Sequence, residues 1–294
     1  MLKNKDRTLF ILFCILPTLA IFSIFILYPV TQVFIKSLYS SSGFGSNEEF
    51  VGLANFVELF KDDIFIQSMK NTGFLMLVVP AITLFLSLIF ASILSFGDLR
   101  EKHLYRTIFF FPSILSFVVI GILWAFIYHP NMGIINEVLN WMGLNQFALT
   151  WLGSKDTVLW AIALVMVWQA VGYYMVMYLA GMDGVPRELY EAASLDGANA
   201  VQQFFKITIP MLWEIIRITI IFSINGVLNI SFVIVIVMTA GGPNNASQVA
   251  LTYMYKQAFV NANFGYAMAI AVIVFSVSLV LSFISNKITE REAH

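Results

Sequence analysis

The chain has 294 residues, 60% of them hydrophobic and 11% charged, with a mean hydropathy of +0.85 and a net charge of −1. Soluble domains carry about 25% charged residues, so a water-soluble fold is excluded and lipid is the expected solvent. The near-neutral charge gives no basis for a nucleic-acid partner, and a single cysteine, Cys14, rules out a disulfide framework within the chain.

Apolar runs occur at about 8–35, 71–96, 107–128, 157–182, 218–239 and 265–285. Each reaches the roughly 20 residues that a helix needs to cross the hydrocarbon core. The runs are continuous rather than alternating, which predicts helices and not barrel strands. The first run follows Lys3, Lys5 and Arg7 in the manner of a signal peptide. It is too long for one and no small-residue cleavage site follows, so a retained first helix is expected, with Cys14 as a small hydrophobe on it. Residues 37–68 read as an outer segment containing Gly43, Gly45 and Asn47, with a short surface helix near Leu53–Phe60. The expected division is therefore 1–70, an N-terminal helix with its outer loop, and 71–294, a five-helix core with a polar segment at 183–212.

Six spans place both termini on one side. With that side cytoplasmic, five of the 16 Lys and Arg residues (Lys36, Lys61, Lys70, Lys155 and Lys256) face outward and the rest inward. This is the bias of the positive-inside rule, so both termini are expected in the cytoplasm.

None of the six apolar cores contains Asp, Glu, Lys or Arg. Ion-coupled carriers and voltage sensors need such groups at membrane depth. The sequence also lacks a GxxxxGK[ST] phosphate loop and a HExxH pair, and its three histidines, His103, His129 and His294, fall in loops or at the tail. No metal or cofactor is expected on this chain. Energy for uphill movement would have to come from another polypeptide.

The segment ELYEAASLDGANAVQQFFKITIP interrupts this apolar chain from Glu188 to Pro210. Pro186 suits the first turn of a helix. Leu189, Ala192, Ala193 and Leu195 then form a small apolar surface beside Arg187, Glu188, Glu191 and Asp196. Gly197 reads as the helix stop and Asn199 as the N-cap of a second piece, which carries Val201, Phe204, Phe205 and Ile207 and ends before Pro210. The expected product is a helix–turn–helix elbow. A connector needs only a few residues, and the amphipathic pattern suits docking to a protein and resting on headgroups equally.

Polar groups within the spans form a second set. Gln169 and Tyr173 share one face of span four, Asn225 and Asn229 one face of span five, and Ser113, Ser116 and Phe117 open span three. Amides, hydroxyls and rings suit sugars; the competing reading is hydrogen bonding between helices, which is favoured for Ser116, Ser223 and Ser231. Gly241, Gly242 and Pro243 mark a tight turn after span five, within a loop that could meet an external protein.

The segment resembles the EAA-x3-G-x9-I-x-L-P signature of permease subunits of ATP-binding-cassette importers. It matches through Glu191, Ala192, Ala193, Gly197, Ile207 and Pro210, with Ile209 in place of Leu. The stretches TAGGPNNAS, FGYAMAIAVIVF and FFPSILSFVVIGILWAFIYHPNMGIIN are similar to the carbohydrate-uptake branch, which includes the maltose and glycerol-phosphate permeases. The resemblance implies an all-α membrane protein of the type I importer permease fold, with six transmembrane helices, in a bacterial cell membrane. It implies a coupling helix that docks on a separate ATPase through Glu191, Ala192, Ala193, Leu195, Asp196, Gly197, Ala198 and Asn199. Implied partners are a second, homologous permease, two ATPase subunits that carry ATP and Mg, and an extracytoplasmic solute-binding protein. In maltose-type relatives sugar contacts come from the spans flanking this segment and the span before them, which favours Tyr173 and Asn229; with Ser113, Phe117, Gln169 and Asn225 from the polar faces above, these are the expected solute path. Without Arg or Lys in the spans to meet a phosphate, a neutral sugar, di- or oligosaccharide, is the expected cargo, with a polyol phosphate the alternative where the partner permease supplies the charge. A passive facilitator or ion-independent carrier of a small neutral solute, and an inert scaffold, are the alternatives. The lack of charge in the spans opposes ion coupling but not passive flow, and a scaffold leaves the gapless signature spacing and the polar faces of spans four and five unexplained.

Overall fold

The computed structural model describes residues 4–43, 48–97 and 100–289. Gly45, Asn47, Lys3, Arg291 and His294 lie outside the described residues. The first span is helical throughout, from α1 (Asn4–Phe22) through a π-helical turn to α2 (Tyr28–Lys36). A two-stranded antiparallel hairpin follows, β1 (Tyr39–Ser40) and β2 (Glu49–Phe50), then α3 (Ala54–Leu59), which is the expected short helix. Next come α4 (Asp63–Phe96), α5 (Lys102–Phe110), α6 (Phe117–Ile127), α7 (Ile134–Trp141) and α8 (Val158–Asp183). The polar segment forms α9 (Arg187–Leu195), α10 (Ala200–Gln203) and α11 (Ile209–Met211). The chain closes with α12 (Trp213–Met238), α13 (Ala250–Tyr255) and α14 (Phe264–Thr289). Among the described residues, five helices are long and apolar enough to cross a membrane, or six when α5 and α6 are taken as one broken span. The protein is a multi-pass membrane protein.

The chain divides into two compact units that are discontinuous in sequence. The first ends at Asp63, not at residue 70, and also takes in Met254–Ser276. Within it, the hairpin is tied down by polar contacts. Asn55 Nδ2 donates to the carbonyls of Ser37 (2.8 Å) and Tyr39 (3.1 Å), and the Tyr266 hydroxyl donates to Asp62 Oδ2 (2.6 Å). Gly265 packs directly on the Tyr39 carbonyl, where a Cβ would come within 1.8 Å of the oxygen.

The second unit comprises Ile64–Tyr253 and the chain from Val277 onward. Its second span begins near Asp63 rather than at 71, because an acidic residue in the first turn suits the helix dipole and Phe65, Ser68 and Thr72 are already buried. Span three departs most from expectation. The predicted continuous helix at 107–128 is two half-helices bent by 100°. Pro112 sits in a 3-10 turn at Phe111–Ile114, and Leu115 and Ser116 are extended, with ψ of 147° and 135°. Proline cannot donate to a helical ladder, and of the residues at the break only Pro112 is buried.

The core gathers around α8, the most enclosed span. One cluster centres on Ile162, Val165 and Met166 with Leu75, Ile120 and Ile234; another joins Met175, Tyr178 and Leu179 to Ala91, Leu94 and Leu212. Small and hydroxylated residues set the helix approaches, as membrane bundles require. Gly172 lies against α5, with space for no Cβ next to the Phe109 carbonyl. Ser87 donates to the Val171 carbonyl (2.7 Å), and Tyr178 and Thr219 share a hydrogen bond of 2.7 Å.

The turn after α12 is anchored rather than free. Asn71 on α4 donates to the carbonyls of Ala246 (2.9 Å) and Gln248 (2.8 Å), and Thr72 Oγ1 accepts from Ala250 N–H (2.9 Å). Gly241 has φ of +88° and no room for a side chain beside Gln248, so both its conformation and its space require glycine.

Candidate functional site

The elbow is built by local rules. Pro186, extended at ψ 130°, is the N-cap residue of α9, so the helix starts one residue later than predicted. At its C-terminus, Gly197 N–H bonds the Ser194 carbonyl (3.0 Å) and Ala198 N–H the Ala193 carbonyl (2.9 Å). This is a Schellman closure, with Gly197 at φ +80° in the position that favours glycine. Two residues on, Asn199 Oδ1 accepts from Gln202 N–H while Gln202 Oε1 accepts from Asn199 N–H, each at 2.9 Å. This capping box starts α10. The second arm does not stop before Pro210 as predicted. It runs through a π-helical turn at Phe204–Thr208 into α11, whose first turn absorbs the missing proline N–H.

The two arms are fastened together on one side. Gln203 Nε2 donates to Ser194 Oγ (2.8 Å) and to the Ala198 carbonyl (3.3 Å); Tyr190 and Thr208 share a hydrogen bond of 3.0 Å. The Tyr190 ring meets Phe96 edge-on at 5.1 Å. The opposite side is bare. Glu188, Leu189, Glu191, Ala192, Leu195 and Asp196 are exposed, and Leu195 at the tip is 90% accessible. Between the arms lies an open depression of about 360 Å³ lined by Ala193, Asp196, Gly197, Ala198, Gln202 and Lys206. The result is a rigid protrusion with an apolar tip, small residues behind it and a cluster of carboxylates. A groove with basic residues at its rim complements such a shape.

The six residues predicted for the solute path fall into different environments. Tyr173 is 46% exposed and Asn229 is also exposed, its side chain making no hydrogen bond among the described residues. Gln169 is buried, and its Oε1 has no hydrogen-bond partner. Ser113, in the break of span three, donates to the Gln169 carbonyl at 2.9 Å, so these two meet at a helix contact. Phe117 opens α6 and packs half-buried on the core. Asn225 is bonded to α14: Ser278 Oγ donates to its Oδ1 (2.7 Å), and its Nδ2 donates to Ser282 Oγ (3.0 Å). Its i,i+4 relation to Asn229 holds, but its amide is already engaged between helices. Of the serines expected to bond between helices, Ser223 is buried on α12, Ser231 bonds the Leu228 carbonyl of its own helix, and Ser116 is exposed.

Residues 83–293, from the middle of α4 through the elbow to the end of the chain, match the family described as binding-protein-dependent transport system inner membrane component. The chain belongs to this family. It is 36% identical to the probable ABC transporter permease YurN of Bacillus subtilis, covering 97% of each chain. It is also 36% identical to the diacetylchitobiose uptake system permease NgcF of Streptomyces coelicolor, covering 97% of this chain and 84% of that one. A 28% identity over 95% of the chain links it to the sn-glycerol-3-phosphate transport permease UgpA of Yersinia pestis. The fold matches the crystal structure of a bacterial ABC transporter that imports alginate, with a TM-score of 0.84 at 23% identity and 98% coverage of both chains. The protein is thus an ABC importer permease with the importer permease fold.

Sequence reasoning missed two features of this permease. One is the anchoring of the turn after α12 by Asn71 and Thr72. The other is the polar seam between α12 and α14. The seam had a signal: Ser278, Ser282 and Asn286 recur every four residues along one face of an otherwise apolar span.

Proposed function

We propose that this permease is one of two membrane subunits of an importer that brings a sugar, di- or oligosaccharide, into the cytoplasm, driven by ATP hydrolysis on separate ATPase subunits docked at the elbow. The observation that carries this reading is the elbow itself, a pre-organised protrusion with one fastened and one bare face. Glu191, Ala192, Ala193, Leu195, Asp196, Gly197, Ala198 and Asn199 form or frame the bare face. A headgroup-resting helix would instead present a broad apolar face flanked by cations. Here the exposed residues of the elbow carry three carboxylates, Glu188, Glu191 and Asp196, against two cations, Arg187 and Lys206.

Mechanically, α9 follows α8 after three residues, and α11 precedes α12 after one. A push on the elbow therefore enters spans four and five directly. Those spans carry Tyr173 and Asn229, the two predicted path residues with exposed side chains, which would offer a ring and an amide to a sugar. A neutral cargo fits the absence of charge in the apolar cores of the spans, and the sugar-uptake relatives support the cargo class. ATP and Mg belong to the ATPase partners; this chain carries no catalytic or cofactor residues in this reading. A solute-binding protein delivers cargo on the outer face, and both termini lie in the cytoplasm.

The test is purification of the permease with its genetic neighbours after mild solubilisation, for the parent and for Glu191→Lys and Leu195→Asp. Recovery of an ATPase pair and a second permease with the parent, and loss of the ATPase alone in the variants, is the expected result. Equal ATPase recovery and equal uptake of labelled sugar in vesicles would refute the docking assignment. A passive facilitator would purify without an ATPase at all.

A further inference from the structure

Spans five and six are joined by a line of polar side chains. Near the middle of α12, Asn225 uses both ends of its amide. Nδ2 donates to Ser282 Oγ (3.0 Å) and to the Ile221 carbonyl of its own helix (2.9 Å), and Oδ1 accepts from Ser278 Oγ (2.7 Å). Two turns nearer the elbow, the Arg217 guanidinium donates to Asn286 Oδ1 through Nη2 (2.6 Å) and Nε (3.2 Å), with Glu214 at 3.8 Å from Nη1. Arg217 and Asn225 lie eight residues apart on α12; Asn286, Ser282 and Ser278 lie four apart on α14. The two stripes run antiparallel along the same seam.

We infer that this seam is a joint that makes α12 and the C-terminal half of α14 move as one unit, and that Asn225 is its positioning residue rather than a contact for the solute. The inference rests on the coupling role proposed for the elbow. Apolar helices in lipid are held by dispersion, which is non-directional and lets them slide. Hydrogen bonds between fixed side chains define the axial register. A slip by one turn, about 5.4 Å, cannot keep both the Asn225–Ser278/Ser282 set and the Arg217–Asn286 pair, and a polar group left unpaired in hydrocarbon costs more than its bond contributes in water. The joint begins with Arg217, one turn into α12 and next to the end of α11, where a push on the elbow arrives. Span six has no covalent link to the elbow. The joint supplies a hydrogen-bonded one in its place.

The experiment has two arms. The complete importer, with both permeases, the ATPases and the binding protein, is reconstituted in liposomes with this chain as parent, Asn225→Leu, or Ser278→Ala with Ser282→Ala. Solute uptake and ATP hydrolysis are measured on the same vesicles. Apparent affinity for the loaded binding protein should be unchanged, while solute moved per ATP falls about three- to tenfold, the scale of one or two inter-helix hydrogen bonds in a membrane. The second arm needs no transport. In a Cys14→Ser background, spin labels replace the exposed Phe222 on α12 and Phe283 on α14. One narrow distance is expected in the parent and a broadened distribution in both variants. A distribution that stays narrow in the variants overturns the joint. If affinity drops at the same time, Asn225 faces the solute instead. Should the parent itself show no ATP-driven uptake, the coupling reading fails, and the distance arm decides the joint by itself.

Discussion

Replacing Gly197 by alanine separates backbone geometry from contact at the elbow. Its φ is +80°, and a Cβ built on it meets nothing within 4 Å. Sterics with neighbours therefore contribute nothing, and the whole cost is that of holding an L-residue in the left-handed region, about 1–2 kcal/mol. At roughly 1.4 kcal/mol per tenfold, the closed elbow should lose about five- to thirtyfold in population relative to frayed forms. Asparagine tolerates this region better, so Gly197→Asn should fall between parent and alanine. Proline cannot reach positive φ and also removes the N–H that bonds the Ser194 carbonyl, so Gly197→Pro should abolish the Schellman closure. The assay is binding of detergent-solubilised permease to its ATPase, measured by titration, with labelled-sugar uptake alongside. Affinity should decline in the order Gly, Asn, Ala, Pro while membrane insertion remains intact. Parent-like affinity for Gly197→Ala, or asparagine weaker than alanine, would refute the argument that the left-handed turn sets the docking shape.

Gly172→Ala should prevent stable packing of α5 on α8, because the new Cβ would sit 1.8 Å from the Phe109 carbonyl oxygen, whereas Gly226→Ala, with nothing within 4 Å, should hold or raise the melting temperature. Equal melting temperatures for the two variants in detergent would contradict the close approach. Tyr173→Ala and Asn229→Ala should each weaken apparent sugar affinity several-fold, as expected for the loss of about 0.5–1.5 kcal/mol per neutral hydrogen bond, with ATPase assembly retained. A lowered melting temperature with unchanged affinity would remove them from the solute path. For orientation, in a Cys14→Ser background, a cysteine at Asn244 should react with an impermeant thiol reagent applied to intact cells and one at Asn199 should not; labelling at Asn199 would invert the topology and detach the elbow from any cytoplasmic ATPase.

Local chemistry was legible in the amino-acid sequence wherever a structure closes within a few residues. Apolar run length sets the spans, since a helix satisfies its own backbone and needs only lipid around it. Gly197 and Asn199 specify the elbow for the same reason: the Schellman closure and the capping box are completed by residues at most five positions away. Tertiary structure alone decided features whose partners lie far along the chain. Asn225 reads as a free amide on a helix face until Ser278 and Ser282, more than fifty residues later, occupy it. Asn71 reads as the polar start of a span until the carbonyls of Ala246 and Gln248 are found on it. The 100° break of span three falls at Pro112, beside the close contact of α5 with Gly172. In an apolar chain the hydrophobic pattern is nearly uniform, so it cannot say which face of a span meets which neighbour; the few polar atoms and glycines make that choice, and only the assembled bundle shows their partners.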